Sequence, residues 1–342
     1  MKILSLFDGM SCGMLAFRQL EIPVDEYHAF EIDKFAVMVS KHNFPEIVHH
    51  GDVFSGDFTK FKNFDWLIGG SPCTYWSISQ NLKNRETTPK GLGWELFQQF
   101  ARGLHEAEPE YFLYENNSSM SPAIRESISE TFGFEPIEIN SALVSAQNRK
   151  RLYWVGKCNH DGTYSKCMIE PPADRGIIVK DIIDSGFVLN DKNGKAQTIK
   201  SQYQNSNIRN FVIYKSTYGA TGIAVPVQIG KMKRSDGTIS DSQADRIYSV
   251  FWKSVTIKSN AGGGGAKTGL YKIDLPDGDY IIRKLSVSEC MRLQTVPDWY
   301  DFSVISQTRA YKCLGNGWTV EVIMHLIKQA MQGKTEHQLT FF

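Results

Sequence analysis

The first twenty residues restrict the fold more than any other stretch. Residues 2–7, KILSLF, are mostly apolar, as a buried strand is. DGMSCGM follows, a turn with two glycines, and then the helix-like MLAFRQL. Strand, glycine turn and helix in that order form the entrance to a doubly wound α/β sheet, whose ligands settle at the carboxyl ends of the strands. Gly9 and Gly13 let a ligand lie against the main chain. The loop is neither GxGxxG nor a phosphate loop ending in Lys-Ser/Thr, so a dinucleotide is not specifically indicated.

The pattern repeats. An apolar stretch at 27–30 ends at Glu31, 23 positions after Asp8, where open sheets place the acid that holds a ribose hydroxyl. A helix is expected over 34–42. IVHHGDV then gives a third strand ending near Asp52, suitably placed to accept from an adenine amino group. Each acid alone reads more often as a cap or a solvated turn residue. Three of them at successive strand ends point to an adenosine-bearing cofactor. These loops hold almost no basic residues, which suits a sulfonium nucleoside better than a cofactor rich in phosphate.

A fourth strand, 64–68, runs into Gly69-Gly70-Ser71-Pro72-Cys73. The glycines allow a sharp turn and Pro72 stiffens the chain before the thiol. A lone cysteine is more often buried and inert, but one on such a turn is placed to act as a nucleophile. A helix over 94–105 leads to a fifth strand, 111–114, ending in Glu115-Asn116-Asn117. Cys73 and Glu115 are thereby expected at the ends of neighbouring parallel strands. Arg149 and Arg151 alternate along the extended SAQNRKR, so both are able to face one side, although alone they read as a surface cluster. Thiol, carboxyl and arginines around a nucleoside cofactor are the set needed for methyl transfer to carbon 5 of a pyrimidine. A thiolate on carbon 6 breaks the aromaticity and makes carbon 5 nucleophilic, while an acid at nitrogen 3 takes up the developing charge.

The 342 residues, 42% hydrophobic, provide for about two domains. No stretch is long and apolar enough to span a membrane, and the N-terminus does not read as a signal peptide. Six scattered cysteines form no CxxC pair, so no zinc site or disulfide framework is indicated and a reducing, cytoplasmic setting is expected. The net charge of +1 conceals a basic interval, residues 194–272, with 12 Lys/Arg against 3 Asp/Glu. Such an interval points to a polyanion bound in one place.

Taken together the motifs resemble those of the DNA cytosine-5 methyltransferases of bacteria and phages, in the family's order and nearly end to end. LFDGMSCG is similar to the cofactor loop, GGSPCTYWS to the nucleophile loop and ENN at 115–117 to the family's ENV. QNRKR at 147–151 matches QxRxR, RKLSVSECMRLQTVPDWY at 283–300 the long helix-forming motif, and YKCLGNGWTVEVI at 311–323 the closing GNxV-type motif. The resemblance implies a Rossmann-like, mostly parallel sheet of the class I methyltransferase type with a smaller, mainly β target-recognition domain. Its boundaries would be 1–157 for the catalytic domain, 158–282 for target recognition and 283–342 for a return segment. It makes Cys73 the nucleophile and Glu115 the acid, with Arg151 orienting and Arg149 in support. It places Phe7, Asp8, Gly9, Ser11, Gly13, Glu31, Ile32, Asp52, Val53, Pro72, Leu96, Asn316 and Gly317 around S-adenosylmethionine, and implies no metal.

The implied partner is double-stranded DNA, from which the target base must be flipped. A monomer is expected, and a cognate restriction endonuclease is left open. Lys231, Lys233, Arg234, Arg246 and Lys253 are unranked candidates for DNA contact. Departures from the family pattern are Thr74 for a glutamine, Asn117 for a valine and Trp318 where small residues are common. The rival readings are a tRNA cytosine-5 methyltransferase and a non-catalytic DNA-binding relative.

Overall fold

A computed structural model describes residues 1–77, 85–184, 189–190, 196–197, 211–213, 226–233, 237–240, 242–257, 269–274 and 280–333. The chain opens β1 (Lys2–Leu6), α1 (Cys12–Gln19), β2 (Glu26–Phe30), α2 (Lys34–Asn43), β3 (Val48–His49) and β4 (Trp66–Gly69). It continues α3 (Leu92–Ala107), β5 (Tyr111–Asn117), α4 (Pro122–Phe132), β6 (Ile137–Asn140), β7 (Lys150–Cys158) and β8 (Tyr164–Lys166). These strands form one sheet in the order β3-β2-β1-β4-β5-β7-β6, with β8 paired to β7. Strands β1 to β5 run parallel, and β7 runs antiparallel to both β5 and β6. This is the doubly wound arrangement the sequence implied.

The strands alternate side chains between two faces. On β5, Tyr111 and Leu113 pack on the face covered by α1 and α2, while Phe112 and Tyr114 pack under α3 and α4. On β7, Tyr153 and Val155 take the first face and Leu152 and Trp154 the second. The same parity assigns Glu115 and Arg151 to the α1 face, one step beyond Leu113 and Tyr153. That two-residue period is why a buried strand with no polar break until Glu115 delivers its carboxylate to one side only.

After β8 come α5 (Val179–Ile182) and a short pair, β9 (Leu189–Asn190) with β10 (Ala196–Gln197). A second sheet of five strands follows: β11 (Phe211–Ile213), β12 (Gln228–Met232), β13 (Arg246–Ser249), β14 (Leu270–Asp274) and β15 (Tyr280–Arg283). Met232, Ile247, Leu270 and Ile282 form its own small core. Tyr248, Val250, Ile257 and Tyr271 belong instead to the core under the main sheet, so the two sheets share apolar contact. Arg234 and the glycine run at 262–265 lie outside the described residues.

Lys253 requires a correction. The sequence offers it as a DNA contact, but it is only 1% exposed and its ammonium donates to the carbonyl oxygens of Ala142 and Ser145 at 2.6 and 3.1 Å. Burial pulls its pKa down, against the pull of Asp174 and Asp181. Asn148 N–H and Thr256 Oγ1 add bonds across the same seam, to Ser254 O and Asn148 O. The lysine therefore ties the loop before β7 to the segment after β13.

The chain returns through α6 (Val287–Leu293), α7 (Gln307–Asn316) and α8 (Val320–Gln332). Ser286 caps α6 in a capping box with Glu289, as SVSE predicts. The apolar stripe of α8 (Val320, Ile323, Leu326, Ile327 and Ala330) lies in the core shared with α1.

Candidate active site

The strand order reverses between β1 and β4, so the loops that follow them diverge at the carboxyl edge and leave a crevice. It holds about 930 Å³ of space free of protein atoms, part of it open to solvent. Phe7, Asp8, Gly9, Glu31, Pro72, Cys73, Glu115, Arg149, Arg151, Asn316 and Gly317 all line it. Residues some 310 positions apart in sequence thus meet in one cleft.

Cys73 begins a short 3-10 turn, Cys73–Tyr75, and its carbonyl accepts from the N–H groups of Trp76 and Ser77. Two buried anchors hold this loop. Ser71 Oγ lies 2.6 Å from Tyr114 Oη, and Asn116 Nδ2 donates to Ser71 O at 3.1 Å. Trp76 is fully buried, and its indole N–H donates to Glu86. Cys73 itself is half-buried. Burial pushes the thiols of Cys12, Cys167 and Cys313 up to about 12, which leaves them protonated and inert near neutral pH.

Glu115 is held at both oxygens. Arg151 Nε lies 2.9 Å from Oε1 and Trp318 Nε1 lies 3.0 Å from Oε2. Both partners only donate, so they occupy one lone pair on each oxygen and leave the others for a substrate group or a proton. The Glu115 and Arg151 side chains are 11% and 13% exposed. Gly70 is what lets the β4 loop pass so close. A Cβ there would stand 2.8 Å from Glu115 Oε2 and 2.9 Å from its carbonyl oxygen. Gly70→Ala is expected to displace the carboxylate and lower kcat by about 10²-fold with the fold retained, measured as steady-state turnover beside a thermal unfolding curve.

Arg149 and Arg151 do different work. The Arg149 guanidinium, 3% exposed, donates to the carbonyls of Gly315 and Gly317 and so pins the α7–α8 turn to the sheet. Burial, with Arg151 alongside, lowers its pKa. Gln294 Nε2 reinforces the turn by donating to Leu314 O and Gly317 O. Gly317 is closely packed, since a Cβ would meet Cys313 O at 3.1 Å and Cys12 Sγ at 3.2 Å, so a side chain there requires its neighbours to give by a few tenths of an ångström.

The loop after β1 is tightly wound, with Phe7, Gly9 and Ser11 all at φ near +60°. Such backbone costs about 1–3 kcal/mol at a non-glycine residue and is sustained by its surroundings. Asp8 is the organiser: its carboxylate accepts from Ser5, Tyr27 and Ser11 hydroxyls. Burial raises its pKa and those three bonds oppose the rise. Glu31 accepts from Gly9 N at 2.8 Å and Asp33 N at 2.7 Å, fixing the turn to the end of β2. Burial raises its pKa as well, against the same two amides.

The remaining expected cofactor positions lie off the cleft lining. Ser11 is buried, with its hydroxyl shared between Asp8 and Ser40. Gly13 meets Ile68 and Tyr27, so its lack of a side chain serves the packing of α1 on the sheet. Ile32 is 77% exposed. Asp52 caps the turn at Val53–Ser55 and Val53 is buried beneath it, while Leu96 packs on the α3 side of the sheet. Asn117, unusual beside the acid, is spent inside its own loop: its Oδ1 accepts from Ser119 N and Oγ. Sequence reasoning missed Ser71, Tyr114 and Asn116 as supports of the nucleophile loop. It flagged Trp318 only as a departure. Asn116 was visible in the ENN motif, but its partner was not.

Among the described residues no group of three or more His, Cys, Asp or Glu is placed to hold a metal ion, and no helix is long and apolar enough to cross a membrane. The chain is 25% identical to the type II methyltransferase M.HhaI of Haemophilus parahaemolyticus over 336 residues, which cover 95% of this chain and 93% of that protein. It is 33% identical to the orphan methyltransferase M.SPRI of Bacillus phage SPR over 168 residues, 46% of this chain and only 37% of the phage protein. Its backbone matches the Entamoeba histolytica methyltransferase EhMeth with a TM-score of 0.63 at 13% identity, over 97% of this chain and 98% of that one, a likeness of fold. Residues 1–332 match the C-5 cytosine-specific DNA methylase family, and with nearly the whole chain inside that match the protein belongs to it.

Proposed function

We propose that the chain methylates carbon 5 of a cytosine turned out of duplex DNA, with Cys73 as nucleophile and Glu115 as acid. The observation that carries this reading is the convergence of Cys73, Glu115, Arg151 and Glu31 on one cleft at the sheet's switch point. The proposed cofactor is S-adenosylmethionine, which supplies an electrophilic methyl group on a sulfonium. The donor set favours such a group. The lining acids Asp8, Glu31 and Asp33 suit a cationic nucleoside, and both lining arginines are already committed, Arg149 to carbonyl oxygens and Arg151 to Glu115. Glu31 keeps lone pairs free for ribose hydroxyls beyond its two amide bonds.

In this mechanism the Cys73 thiolate bonds to carbon 6 of the ring. Glu115 meets nitrogen 3 and the exocyclic amine, and Arg151 fixes its orientation. Once carbon 5 is methylated it loses its proton, and the electron pair expels the thiolate and restores the ring. Residues 158–282 are the proposed target-recognition domain, and the basic residues of the interval 194–272, Lys253 apart, are the proposed source of phosphate contacts. The same reading has the protein act as a monomer in the cytoplasm of a bacterium or phage-infected host, with or without a cognate restriction endonuclease.

Incubation with labelled cofactor and duplex DNA or tRNA tests the reading, and bisulfite sequencing of DNA from expressing cells gives the target. Label on DNA alone is the expected result; label on tRNA alone, or on neither, refutes it. Glu115→Gln is expected to slow methylation by about 10²–10⁴-fold. Turnover near that of the parent protein would remove Glu115 from the mechanism.

A further inference from the structure

We propose that Trp318 is a positioning residue that sets the orientation and proton affinity of Glu115. The inference rests on the methyltransferase reading above. Trp318 stands where the closing motif of the family commonly has a small residue, so its indole adds a contact the motif alone does not supply. Its N–H lies 3.0 Å from Glu115 Oε2, the oxygen that Arg151 Nε leaves free. The turn that carries it packs on the loop after β1, since a Cβ at the preceding Gly317 would stand 3.2 Å from Cys12 Sγ and 3.5 Å from Met10 Sδ. Trp318 thus follows a turn packed on the cofactor-side loop, touches the acid with its side chain, and lines the cleft between them.

The flanking residues hold it in that place. Arg149 fixes the preceding carbonyl, Gly317 O, at 3.0 Å. The next residue, Thr319, is 1% exposed and bonds to Ser141 Oγ and Gln294 Oε1, both at 2.8 Å. Gly70 completes the packing, since a Cβ there would come within 3.4 Å of the indole nitrogen. The indole is therefore aimed by its neighbours rather than by the substrate.

An N–H donor to a carboxylate favours its ionised form. With Arg151 alone, one carboxyl oxygen would be free to rotate toward the cleft. The other ionisable groups near Glu115 are Arg151 and Tyr153 on β7 and Arg149 just before β7, with Cys73 in the same cleft and Tyr114 on the opposite face of the sheet. Trp318 contributes no charge of its own, so its removal alters the field at Glu115 only through the lost hydrogen bond.

The test compares the parent protein with Trp318→Phe and with a protein carrying benzothienylalanine at 318, which keeps the bicyclic shape and replaces N–H by sulfur. Kinetics on duplex DNA are read as kcat, the KM for each substrate and the pH profile of kcat. The limb due to Glu115 is identified as the one lost in Glu115→Gln. The expected result is a kcat lower by about 10–100-fold, KM values within about three-fold, and that limb moved to higher pH. A kcat and pH profile like the parent's overturn the proposal. So does a fall in kcat with an unmoved limb, which would make the ring a packing element only. If Trp318→Phe fails to fold, the isosteric variant decides alone. A parent protein that methylates nothing would instead count against the function proposed above.

Discussion

Cys73→Ala is expected to reduce DNA methylation by at least about 10⁴-fold, the scale on which removal of a covalent nucleophile acts. The fold should be unaffected. Cys73 is half-buried on a 3-10 turn whose anchors are its neighbours, Ser71 on Tyr114 and Asn116, and Trp76 on Glu86. None of these bonds uses the thiol. No other cysteine stands ready to replace it. Cys12 and Cys313 also line the cleft, but burial holds both thiols at about 12, several units above the working pH. The decisive measurement is trapping. A duplex bearing 5-fluorocytosine cannot lose a proton from carbon 5, so the parent protein should remain attached and migrate as a conjugate on a denaturing gel. Cys73→Ala should release it completely. A conjugate formed by the alanine variant would show that a different atom attacks the ring.

The second large effect is on stability. Glu289 is fully buried and accepts four bonds: two from Arg283 at 2.7 Å, one from Ser286 N at 2.7 Å and one from Asp184 N at 3.0 Å. Arg283 is itself 3% exposed. Glu289→Ala would leave a buried guanidinium without its counter-charge and two main-chain donors without acceptors. The expected cost is about 3–5 kcal/mol, read as a shift of the urea midpoint with an unchanged slope. Replacing both partners together, Arg283→Met with Glu289→Leu, should cost less than Glu289→Ala, because no lone charge remains inside. A single variant as stable as the parent would mean that the pair is not bearing on the fold. Its partners explain the size of the effect, since the carboxylate ties the end of β15, the start of α6 and the chain just past α5 into one knot.

Much of this architecture could be read from the sequence because it rests on local rules. The glycine turn after KILSLF, the acid at 31 and the Gly-Gly-Ser-Pro-Cys turn declare themselves by composition, and Ser286 with Glu289 announces a helix start. The strand bounds erred by one to three residues at their ends: β3 stops at His49, short of Asp52, and β5 takes in Glu115, Asn116 and Asn117 rather than stopping before them. Those three polar residues look like a loop in sequence, yet β7 pairs with them through Tyr153, Leu152 and Arg151. What sequence could not reveal were the partnerships that depend on distant packing. Lys253 looks like a surface cation among others, and only the seam around Ala142 and Ser145 makes it a buried strut. Arg149 and Arg151 share a motif and a parity, yet one serves a glycine turn and the other the acid.

The contribution of α7 and its following turn has a consequence for biosynthesis. One wall of the cleft, from Cys313 to Trp318, is translated after everything between it and the loop it faces. A nascent chain on the ribosome can lay down β1 to β7 and still possess no closed pocket, and Arg149 must wait for the glycine carbonyls it will grip. On the proposed function, a product that stops anywhere before residue 313 lacks that wall and is expected to methylate nothing.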